Sequence, residues 1–105
     1  MRAGRLRHRV TFQQRQATKN KYGEEITTWK HVAIIWAAVE PLKGREFFEA
    51  QRNNLESIVK VVIRYRPGIE TTLRLEHNGI NYDIQSIINP EMKNKELQLM
   101  CKAVQ

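Results

Sequence analysis

The chain has 105 residues, 41% hydrophobic and 28% charged, and its 18 Lys and Arg outweigh 11 acids for a net charge of +7. This is the length of one domain (1–105) with a modest core, near the size where assembly adds stability, and the composition is not that of a disordered chain. No apolar run approaches the roughly 20 residues of a membrane helix, no secretory h-region follows the basic start, and a lone Cys101 fits a reducing cytoplasm.

Charge is concentrated at the start, in Arg2, Arg5, Arg7, His8 and Arg9. Two readings stand: an arm for nucleic acid or an acidic protein surface, or a solvated terminus, with residues 1–6 flexible. In RVTFQQRQ, Val10 and Phe12 alternate with polar residues as in a half-buried strand. Residues 17–25, with Tyr22-Gly23, read as an exposed connection. ITTWKHVAIIWAAV, residues 26–39, is strand-like; its first half alternates and its second is apolar on both faces. Such a run needs cover on both sides, from the core and from a helix, a loop or a neighbouring subunit.

Pro41 cannot donate a ladder hydrogen bond and ends or edges that strand. After Gly44, residues 45–53 are mostly competent helix formers and predict a helix of about two turns, too short to hold without packing. IVKVVIRYRPGI alternates again, placing Val59, Val61, Ile63 and Tyr65 on one face; Pro67-Gly68 is a turn. Asn78-Gly79 sits between apolar runs and predicts a hairpin with a type I′ turn, whose central residues both need positive φ. NPEMKNK is a loop, and ELQLMCKAV closes with Leu97, Leu99, Cys101 and Ala103 facing in. The sum is a mainly β fold: a small antiparallel β-barrel or compact sandwich of about six strands with one short helix, since strands in that number must hide their edges.

No catalytic constellation emerges. The acids are ten glutamates and the single Asp83, whereas a two-metal site draws on clustered carboxylates. Glu46 and Glu49 are spaced to share a helix face, but with Arg45 and Arg52 nearby they suit ion pairing. His8, His31 and His77 lack zinc-ligand spacing, Ser57 and Ser86 lack a nucleophile elbow, and the glycines form no phosphate loop. Arg64-Tyr65-Arg66 interleaves cations with an aromatic, a pattern compatible with single-stranded nucleic acid, although alternation sends Tyr65 to the core.

GRLRHRVTFQ, Tyr22-Gly23-Glu24, Trp29, IWAAVEPLKGREFFEAQ, VIRYRPGI and YDIQSIINPEMKNKELQLMC occur in that order from Gly4 to Cys101. The ordered set resembles the tailed-phage head–tail joining family, also called head-closure, stopper or head–tail adaptor proteins. The resemblance implies a small β-barrel that forms a ring beneath the portal, helps close the DNA exit channel after packaging, and docks the tail. It implies a virion structural protein, assembled in the host bacterial cytoplasm, with no enzyme activity, metal, cofactor, membrane or small-molecule substrate. The implied partners are other copies of the chain, a portal or adaptor protein, and a tail-completion or tail-terminator protein, with packaged DNA close by. Within that frame Glu46, Phe47, Phe48 and Glu49 are expected to form one interface patch, with Arg64 or Arg66 as charge partners. Arg2, Arg5, Arg7 and Arg9 are candidates for the DNA channel or a partner, and connections 17–25 and 41–57 for the segment that faces or plugs it. The alternative from another class is a monomeric β-barrel module that binds nucleic acid through Arg64, Arg66 and the basic start.

Overall fold

Strand alternation and turn chemistry account for most of the computed structural model, which describes residues 6–41 and 58–104. Six strands follow one another: β1 (His8–Lys19), β2 (Glu25–Pro41), β3 (Ile58–Arg64), β4 (Arg74–His77), β5 (Ile80–Ile88) and β6 (Glu96–Ala103). They close into a barrel in the order β1-β2-β3-β6-β5-β4, every pair antiparallel. The mainly β expectation holds, and of barrel and sandwich the chain forms the barrel. The helix expected over 45–53 lies outside the described residues.

The inward positions are those the alternation marks. Val10 and Phe12 of β1, Val61 and Ile63 of β3, Leu75 of β4 and Leu99 of β6 are nearly or fully buried in one core. Cys101 belongs to the same core, as the sequence pattern expects. On β3 the opposite face is covered too: Ile58 and Val62 are buried, and Val62 pairs with the equally buried Ala38 of β2. The second face of the two-sided run in β2 is thus covered at Ala38, whereas Ile34 and Trp36 on that face stay exposed.

Asn78 and Gly79 adopt φ of 53° and 77° between the paired His77 and Ile80, the type I′ hairpin expected of Asn-Gly. Ile80 itself, next to the turn, is exposed rather than part of the core.

The expected connection 17–25 is shorter than its composition implies. β1 continues to Lys19 and β2 starts at Glu25, paired to each other. Asn20 organises the remaining turn: its Oδ1 accepts from the backbone N–H of Tyr22 at 2.9 Å and of Glu24 at 3.0 Å. Residues 14–19 and 25–30 are exposed or half-buried, and the polar stretch 17–19 carries no apolar alternation to mark it as strand. They form a two-stranded ribbon, because β4 pairs with β1 only over Thr11–Gln13 and β3 with β2 only over Ala38–Pro41.

At the root of the ribbon the β1–β2 register shifts: Phe12 faces Ala33, but Gln13 faces His31. Val32 is the extra residue of a β-bulge, which re-aims the strand. Before it Trp29 and His31 share the outward face with Gln13 and Arg15; after it Ile34 and Trp36 do so with Thr11 and Arg9.

Candidate functional site

β2 and β3 pair over Ala38–Pro41 and Val59–Val62, then part. Beyond that point β3 follows β6, ending with Arg64 opposite Glu96, while β2 stays with β1. The divergence opens a groove of about 360 Å³ lined by Leu6, Ile34, Ile35, Trp36, Arg64, Tyr65 and Arg66. Its floor is apolar, and Ile34 and Trp36 remain 55% and 53% exposed, unusual for large apolar side chains placed side by side.

Tyr65 lines this groove instead of packing in the core. β3 ends at Arg64, and the Tyr65 N–H donates to the carbonyl of Lys95, outside β6, at 3.1 Å. Past the end of the ladder, alternation no longer fixes the face of a side chain.

The rim is cationic. Arg64 and Arg66 are exposed, and neither forms an ion pair among the described residues. The Arg9 guanidinium lies 5.2 Å from the centre of the Trp36 ring, a cation–π contact that holds a further positive charge beside the floor. An apolar, aromatic floor within a cationic rim can bind; among its lining residues there is no carboxylate, thiol or imidazole to act as base or nucleophile.

A second cluster lies at the root of the ribbon. Arg74 donates from Nε and Nη2 to the Oε1 of buried Gln13 at 2.9 and 2.7 Å. Its guanidinium stacks over Trp29, 4.1 Å from the ring centre. Gln13 in turn reaches Glu76, Nε2 to Oε2 at 3.5 Å. The network ties β1, β2 and β4 together where the barrel gives way to the ribbon, and its role is bracing.

Barrel closure also joins residues that are remote in sequence. His8 and His77 meet edge to face, ring centroids 5.0 Å apart, a contact that histidine spacing alone does not reveal. Among the described residues no three His, Cys, Asp or Glu side chains come together to hold a metal. Asp83 is exposed, between Arg74 and Lys102 on the neighbouring strands. Burial pushes the Cys101 thiol up to about 12, so it is protonated and inert at neutral pH.

Of the residues singled out from sequence, Arg64 and Arg66 meet at the groove. Arg7 and Arg9 are exposed where β1 begins. Glu46, Phe47, Phe48 and Glu49, like Arg2 and Arg5, lie outside the described residues. Ile34 and Trp36 carry no site motif of their own; the signal for them in the sequence is the two-sided apolar run of β2, which asks for a partner.

A family model described as phage head completion protein matches residues 1–104. The chain is 25% identical over 107 residues to head completion protein gp7 of Enterobacteria phage HK97, covering 97% of this chain and 96% of that protein. Among solved structures, it is similar to a Shigella flexneri 2a protein determined in solution, with TM-score 0.77 and 28% identity over 98% of this chain and 96% of that one. It also shares the fold of a chain from the virion of a native gene transfer agent particle, with TM-score 0.64 and 13% identity over 95% of this chain and 96% of that one.

Proposed function

The chain belongs to the phage head completion protein family, and on that premise we propose how it serves the head–tail connector of the virion. Copies of the chain form a ring under the portal or its adaptor after DNA is packaged. The ring helps close the exit channel and offers the surface on which a tail-completion or tail-terminator protein docks. The observation that carries this reading is the groove between β2 and β3, where Ile34 and Trp36 stay half exposed beside the cationic rim of Arg9, Arg64 and Arg66. A surface of that kind suits a protein partner, with aromatic and Arg side chains as anchors. Glu46, Phe47, Phe48 and Glu49 contribute a second patch, as a heterologous ring contact needs two different surfaces per copy.

The basic start, which shares Arg9 with that rim, has a further task. Arg2, Arg5, Arg7 and Arg9 tolerate, without reading, the DNA held in the channel, since phosphate contacts position a protein but carry no sequence code. The alternative of a monomeric nucleic-acid module has no such family support.

Phage particles that lack the chain test the reading. They should fill with DNA, leak it and fail to accept tails, and adding the purified protein to filled heads should restore tailing. Stable, tailed, infectious particles assembled without it would refute the role.

A further inference from the structure

The groove has a chemical complement within the chain's own sequence. Of the three phenylalanines, Phe12 is fully buried in the barrel core. The other two stand together in the run Glu46-Phe47-Phe48-Glu49, an aromatic pair bracketed by carboxylates. The groove presents the inverse pattern, an apolar floor of Ile34, Ile35 and Trp36 bracketed by Arg64 and Arg66.

We infer that the groove between β2 and β3 receives the Glu46–Glu49 run of a second copy of this chain. The inference rests on the ring assembly proposed above and names the contact that builds it. Phe47 and Phe48 supply the rings that cover Ile34 and Trp36. Glu46 and Glu49 meet the guanidinium groups of Arg64 and Arg66, which form no ion pair among the described residues of their own chain.

The run's points of attachment lie apart from the receptor along β2. The run is joined to the barrel at Pro41 and Ile58, at one end of the β2–β3 pairing. The groove opens past the other end, at Trp36 and Tyr65, and from Pro41 back to Trp36 is roughly 16 Å at about 3.3 Å per strand residue. Ile34 and Trp36 stay more than half exposed in the single chain, which leaves the receptor open to a neighbour. One surface donates and a different one receives, so the contact is heterologous and repeats around a ring. A floor this short, with Trp36 and Tyr65 as its aromatic rings, favours a protein segment over nucleic acid, which needs a succession of aromatic platforms and a longer cationic track.

Two full-length variants, Glu49→Cys and Arg66→Cys, keep both phenylalanines and the groove floor. They are mixed on DNA-filled heads lacking the chain and treated with a short bis-maleimide; Cys101, buried and protonated, stays silent. The expected product is a dimer joining one variant to the other, absent when either variant is used alone. Arg64→Glu with Arg66→Glu should lower the number of copies on each head at least about tenfold, as opposed charges become like charges. Adding Glu46→Arg and Glu49→Arg to that variant should restore them.

Normal incorporation of both cysteine variants without the mixed dimer overturns the inference and leaves the head-completion reading standing. A link formed only within a doubly substituted chain assigns the groove to the chain's own run and also overturns it. Salt-sensitive binding of a short duplex DNA that Arg64→Glu abolishes, with no mixed dimer, makes the groove a nucleic-acid site instead. If even the unaltered protein fails to join the heads, the head-completion reading falls with the inference.

Discussion

Replacing Gln13 by Leu removes the oxygen on which Arg74 rests and leaves a similar volume in its place. Gln13 is 5% exposed, and its Oε1 accepts two N–H groups of one guanidinium, at 2.9 and 2.7 Å. A hydrogen bond to a charged partner contributes about 1.5–3 kcal/mol. Arg74 is only half-buried, so water partly replaces the lost acceptor and the lower end applies. With a urea m-value of about 1.5 kcal/mol per M, a loss of about 1.5 kcal/mol lowers the unfolding midpoint by about 1 M. A double-mutant cycle with Arg74→Met isolates the pair, with an expected coupling of about 1–1.5 kcal/mol. Gln13→Glu gives Arg74 a carboxylate but sets it beside the Glu76 Oε2, 3.5 Å from the present Gln13 Nε2, and so stays close to wild type at neutral pH. A coupling below about 0.3 kcal/mol, the usual error of additivity, would show that the bracing network does not stabilise the fold.

The barrel makes further predictions. The folded-state pKa of Cys101 is raised from 9.0 to about 12, so above pH 9 the folded chain holds a proton that the unfolded chain releases. The thiol's contribution is therefore present below pH 9 and lost as pH rises towards 12; the stability gap between wild type and Cys101→Ala should shrink by about 1.4 kcal/mol per pH unit there, and a flat gap in urea titrations counts against the burial. Gly79→Ala meets no atom within 4 Å but must keep a φ of +77°, so it should cost about 1 kcal/mol and lower the melting temperature by roughly 4–8 °C; an unchanged melting curve would remove the type I′ turn. Leu99→Ala empties a fully buried position and should cost about 2–5 kcal/mol. Trp36→Ala should move the urea midpoint far less than Leu99→Ala while reducing incorporation into heads, and the reverse ranking would make Trp36 a core residue.

The barrel is legible where alternation meets turn chemistry. Val10, Phe12, Val61, Ile63, Leu97 and Leu99 reveal their inward side by period, and Asn78-Gly79 fixes its hairpin by backbone conformation alone. The ribbon is legible only in part: the alternating first half of 26–39 marks β2, but residues 17–19 are polar and solvated and pair through backbone groups that any sequence supplies. Tyr65 misleads because alternation fails past the last ladder residue, where side-chain direction depends on a neighbouring loop at Lys95. The groove itself was half visible. Arg64 and Arg66 stand out as charges and VAIIWAAV as a surplus of apolar surface, but only the divergence of β2 from β3 puts them in one place.

Strand order has a consequence for how the chain is made. β6 lies between β3 and β5, although it is the last of the six to leave the ribosome. Until Glu96–Ala103 has emerged, β3 and β5 have no partner on their facing sides, and the core lacks Leu97, Leu99 and Cys101. The first five strands can form only an open sheet, β3-β2-β1-β4-β5, with the three-residue β1–β4 seam inside it, and closure must wait for the final strand. A message cut before codon 96 therefore encodes no smaller barrel, only an exposed apolar sheet fit for quality control.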